Sequence, residues 1–126
     1  MADITVSSIY KNYANAVTVN NGATSFTIPT FDIDDKIIIL IDNQDSSDAS
    51  LNILATNAVG DSAEIGALEL EVDAGKVYAT IVESARFKNS SGKLECTITD
   101  QDGTAYSGTV AKVKVSVLKL LGDYHA

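Results

Sequence analysis

Alternation of apolar and polar side chains governs most of this chain. Ile4 and Val6 alternate with Thr5 and Ser7, Val17 and Val19 flank Thr18, and Phe26 and Ile28 flank Thr27. A period of two sends successive side chains to opposite faces, so each run predicts a strand with one buried face. Asn20-Asn21-Gly22, between the second and third runs, is the turn chemistry of a tight hairpin. Pro29 has no N–H to donate and predicts the end of the strand that carries Phe26 and Ile28. Further runs read Leu51/Ile53/Ala55, then Leu68/Leu70/Val72 with Glu69 and Glu71 turned outward, then Val77/Ala79/Ile81 and a short Ala85/Phe87 segment. Leu94/Cys96/Ile98 alternate with Glu95, Thr97 and Thr99, and Ala111/Val113/Val115/Val117 with Lys112, Lys114 and Ser116. The phase breaks over residues 118–121, which predicts a bulge or the end of the last strand. Polar turn clusters separate the runs at 42–50, 73–75, 89–92 and 100–103.

One run does not alternate. Residues 37–41 are five consecutive apolar side chains, pointing to both faces of their strand. A sandwich strand needs one buried face, so a second cover is expected, from this chain or from a neighbouring subunit. Helix is hard to place: 57–66 carries Gly60 and Gly66, each costing about 1 kcal/mol against Ala in a helix interior, and 8–14 has room for one short turn. The pattern predicts an all-β fold, an antiparallel β-sandwich (Ig-like or related) of eight or nine short strands with little helix. Residues 1–126 form one domain, with 1–16 as a candidate N-terminal arm and 122–126 as a short mobile tail.

Composition sharpens this. A chain of 126 residues can bury a core without disulfides or metal. Val, Ile and Thr are abundant and Trp is absent, which favours strands. Nine basic residues against 17 acidic ones give a net charge of −8. That excess repels phosphate backbones and anionic headgroups, so neither nucleic acid nor membrane is an expected partner. The start of the chain lacks a basic region and a long apolar stretch, so no signal peptide is expected and synthesis is assigned to a cytoplasm.

The chemistry-bearing residues are few. Cys96 shares its phase with Leu94 and Ile98, which predicts a core thiol and not a nucleophile. The one histidine, His125, is penultimate, so neither a His-based triad nor a zinc site can be assembled. The loop 42–48 resembles the start of a calcium loop but lacks glycine at its sixth position and glutamate at its twelfth, which is Ile53. Asp100-Gln101-Asp102-Gly103 reads as an Asx turn. Outward acids such as Glu69, Glu71 and Glu95 read as a solvated face, so no catalytic residue, cofactor or metal is expected. Arg86, the single arginine, is expected in a structural or subunit-bridging ion pair with Glu83.

The segment Glu83-Ser84-Ala85-Arg86-Phe87-Lys88 leads into Ser91-Gly92-Lys93, a short strand over 94–99, Asp102-Gly103 and a closing strand over 108–115. Upstream lie Lys36-Ile37-Ile38-Ile39-Leu40-Ile41-Asp42-Asn43 and Leu70-Glu71-Val72-Asp73-Ala74-Gly75. Across residues 30–118 this resembles the small β-sandwich proteins encoded beside the major capsid gene of tailed bacteriophages and prophages. The resemblance implies a non-enzymatic protein that decorates and stabilises the outer capsid surface by binding the major capsid protein, often as a homotrimer, and sometimes singly at hexamer centres. It implies a virion location after synthesis in a bacterial host. Ile4, Val6, Ile9, Tyr10 and Tyr13 are candidate contacts to capsid or subunit; the other reading is that they complete the domain's own sheet. Alternatives of function are a tail- or fibre-associated sandwich, or a carbohydrate-binding module using Tyr78 or Tyr106.

Overall fold

The computed structural model describes residues 2–30, 36–54, 67–83 and 87–120. Among them nine strands follow in order: β1 (Ala2–Asp3), β2 (Val6–Ile9), β3 (Ser25–Pro29), β4 (Lys36–Asn43), β5 (Ala49–Ile53), β6 (Leu68–Val72), β7 (Val77–Glu83), β8 (Lys93–Thr99) and β9 (Val113–Leu120). A single 3₁₀ turn, Val110–Lys112, is their helical content. Strands β1-β3-β8-β5-β6 form one sheet and β2-β9-β4-β7 the other. One core joins them: Phe26, Ile28, Leu51, Leu94 and Cys96 from the first sheet pack with Ile37, Ile39, Ile41, Val115 and Val117 from the second. The fold is an all-β sandwich, as the alternation predicts.

Its sheets are mixed, not purely antiparallel. β1 runs parallel to β3 and β2 parallel to β9, while the remaining pairs are antiparallel. Tight turns impose antiparallel pairing only on strands they join. Residues 2–9 instead lay one short strand on the edge of each sheet, beside partners distant in sequence. Ile4, whose N–H donates to the Thr27 carbonyl, and Val6 pack against the core where the chain crosses between sheets.

The hairpin expected around Asn20-Asn21-Gly22 does not form. Val17 and Val19 lie outside any strand and are exposed. Asn20 makes a two-bond bridge with Val115 of β9, at 2.8 and 2.9 Å, while β3 pairs with β8. Gly22 serves close approach: a Cβ there would sit 2.4 Å from the carbonyl oxygens of both Val110 and Val113. Residues 8–14, which have room for one short turn, form no helix; Ser8 and Ile9 belong to β2, and Asn12 turns the chain at φ 65°. β3 ends on Pro29 as predicted.

β7 has the opposite phase to the one expected. Val82 is buried, whereas Val77, Ala79 and Ile81 are exposed. Its apolar alternation points outward. Ala55, Ala85 and the tail 122–126 lie outside the described residues.

Candidate interaction surface

The second sheet carries apolar side chains on both faces. Ile37, Ile39 and Ile41 of β4 enter the core, and Ile38 and Leu40 are half-buried on the outer face. Across from them on β7 stand Ile81, opposite Ile38, and Ala79, opposite Leu40. The cover expected over the 37–41 run is therefore divided. Toward β2, the chain supplies its own: outward-facing Ser7 and Ser116 are buried, and the Ser7 hydroxyl accepts a 2.9 Å bond from Thr18 N–H. Toward β7, the apolar side chains stay open, with Val77 64% and Ile81 65% exposed.

The covering segment itself displays apolar and aromatic groups. Asn15 braces the loop after β2: its Oδ1 accepts from Tyr10 N–H, and its Nδ2 donates to the carbonyls of Tyr10 and Tyr13, all at 3.0 Å. That brace holds the two tyrosine rings edge to face, with centroids 6.2 Å apart. Tyr13 is 74% exposed and Tyr10 47%, and Val17 and Val19, later in the same segment, are exposed too. Residues 4–31 contain no aspartate or glutamate, in a chain that has 17 acids elsewhere. That gap in the charge pattern is a sequence signal for this segment. Of the residues expected in contacts, Ile4 and Val6 lean on the core, Ile9 is half-buried beside Leu120, and Tyr10 and Tyr13 reach solvent.

Reactive groups are spoken for. Cys96 is fully buried, and burial, with the Glu95 charge second, pushes its thiol up to about 12. Glu83 is exposed at the end of β7, in register with Lys36 of β4; Arg86 lies outside the described residues. Asp45, in the loop that resembles a calcium site, is buried and satisfied by protein donors. Tyr106 O–H (2.6 Å) and Thr109 N–H (2.9 Å) donate to one oxygen, and Ser46 N–H (2.8 Å) to the other. The Tyr106 bond first, then the Ser46 amide, hold this carboxyl below the usual range, while burial opposes them. Burial and Asp45 together push the Tyr106 hydroxyl above the tyrosine range. Sequence reasoning missed this pair, which is 61 residues apart. In the second acidic loop, Asp102 accepts from Thr104 N–H and O–H as an Asx turn does. No group of three or more His, Cys, Asp or Glu side chains suited to a metal occurs among the described residues.

The outer face of the first sheet holds a shallow groove of about 260 Å³, lined by Ser50, Asn52, Glu69, Thr97, Thr99 and Gln101 among others. Its polar groups largely bind one another. Ser50 O–H donates to Asn52 Oδ1, Asn52 Nδ2 to Thr99 Oγ1, and Gln101 Nε2 to Asp73. No protein-family model matches this chain, and no curated protein or solved structure matches it either.

Proposed function

We propose that this chain is a structural protein that decorates the outer surface of a tailed-phage head, binding the major capsid protein and reinforcing the shell without catalysis. The likeness of residues 30–118 to that group supplies the partner. The observation that carries the binding surface is the braced loop exposing Tyr13, Tyr10, Val17 and Val19 from an acid-free stretch. Tyrosine offers a large contact area at low entropic cost and is enriched among residues that dominate binding energy. Repetition over a closed lattice multiplies a modest single contact into firm attachment. Support for a carbohydrate-binding role is weaker: several polar groups of the first-sheet groove already bond within the protein, its lining has no aromatic platform, and the Tyr106 hydroxyl is engaged by Asp45.

The test is binding of the purified chain to expanded heads that lack it, followed by heat challenge. Decorated heads are expected to withstand higher temperature. Tyr13→Ala, at a side chain 74% exposed, is expected to weaken binding at least about tenfold with the fold intact. Absence of binding by the wild-type chain sinks the proposal, and unchanged binding by Tyr10→Ala/Tyr13→Ala removes the loop from it.

A further inference from the structure

The two sheets have four edges, and three are guarded. β1 has two residues and carries Asp3. β6 turns Glu69 and Glu71 outward. β2 has four residues, and the segment after it returns over its outer face to bond Thr18 to Ser7. Short edges, charges and covering segments are the devices by which sheets avoid edge-to-edge pairing. β7 is longer than these three and carries no charge before its last residue. Its seven residues, VYATIVE, include no Lys or Pro, and its one charge is the terminal Glu83. Among the described residues no strand pairs with its free side.

We propose that β7 is a self-association edge, on which a second copy of this chain adds its own β7 antiparallel, about a two-fold axis at Thr80. In that register Ala79 of each copy faces Ile81 of the other, and Val77 faces Glu83. The outward apolar phase of β7 then meets its own counterpart, and the open strip with Ile38 and Leu40 doubles across the axis. Charge selects the direction. Lys76 precedes the strand and Glu83 ends it, so antiparallel pairing brings opposite charges together, whereas parallel pairing sets like beside like. Area sets the strength: a strand pair of this length buries on the order of half of a standard ~1,600 Å² interface, so the contact is a reversible equilibrium in free solution. The inference stands apart from the capsid reading and from the three-fold assembly that the resemblance implies.

Sedimentation of the whole chain from micromolar to millimolar concentration reads the equilibrium. A reversible monomer–dimer transition is expected, with the dissociation constant raised at least about tenfold by Ile81→Lys, a change at a side chain 65% exposed. Register is read by oxidising Ala79→Cys mixed with Ile81→Cys, since Cys96 is buried and contributes no competing thiol. The mixture is expected to cross-link well above either variant alone, as the two positions are directly opposed while identical positions lie diagonal. A monomer throughout the range overturns the proposal, as does a dimer indifferent to Ile81→Lys or a cross-link that needs only one variant.

Discussion

Asp45 shows how one carboxylate holds two loops together. It lies between β4 and β5 and takes donors from Tyr106 and Thr109, in the connection between β8 and β9. Asn43 completes the cluster by donating from Nδ2 to the carbonyls of Ser47 and Val72 and accepting from Asp45 N–H. Even the glycine at 108 belongs to it, since a Cβ there would stand 2.2 Å from Asp45 Oδ2. Because its donors lower the carboxyl's pKa in the folded state, the folded chain binds fewer protons than the unfolded one near the ordinary value of about 3.9. The stabilisation is therefore complete above about pH 5 and is lost as pH falls through the folded pKa. Asp45→Asn is expected to lower the urea midpoint at neutral pH and to flatten the fall in stability below about pH 4; urea titrations at several pH values check both. Gly22→Ala places a methyl against two backbone oxygens and is expected to cost about 1–3 kcal/mol or more, read from the same titrations. Cys96 was legible because its phase with Leu94 and Ile98 fixes its face. The Asp45–Tyr106 bond was not, because no local pattern links residues so far apart.

Between strands, phase was readable and partnership was not. β5, β8 and β9 bury the side chains that their alternation marks, and β6 buries Val72 while Leu68 and Leu70 stay half-buried against the core. β7 misleads because its outward set, Val77, Ala79 and Ile81, is more apolar than the set of Tyr78, Thr80 and Val82 that faces the other way, so the period is plain and the direction it suggests is reversed. The real division is testable. Val82→Ala, at a buried position, is expected to destabilise by about 1–3 kcal/mol. Ile81→Thr, on the open face, is expected to stay within about 0.5 kcal/mol. Equal losses from both changes would mean that the outward face of β7 is covered. The hairpin expected at Asn20 failed for a related reason. Its turn residues suit a sharp bend, but Asn20 gains more from bonding Val115 and Thr5, and Gly22 from fitting against β9. The candidate surface was half legible: its tyrosines stood out, while the Asn15 brace that fixes them needed three dimensions.

At the scale of the whole chain, the two sheets are woven from alternate strands. β1 to β4 go to the first and second sheets in turn, β5 and β6 return to the first, and β7, β8 and β9 alternate again. No stretch of the sequence holds a complete sheet, and β8 and β9, near the end, each pair with strands from the first third. Such connectivity leaves no part that can fold first and stay folded, which predicts a single cooperative unfolding transition. It also predicts slow refolding, in the millisecond-to-second range of sandwiches dominated by distant pairings. The segment 2–9 is the sharpest test, because it contributes an edge strand to each sheet and sets Ile4 and Val6 against the core between them. Asp3 fastens one end by accepting from Thr27 and pairing with Lys93 at 3.0 Å, an exposed contact that adds little alone. Deleting residues 1–9 uncovers the sides of β3 and β9 and part of the core together. The expected result is loss of most of the stability and concentration-dependent aggregation, since two unguarded edges are added to β7. Circular dichroism melts with light scattering measure both. A truncated chain that melts cooperatively at the same temperature would show that the clamp belongs to neither sheet's stability.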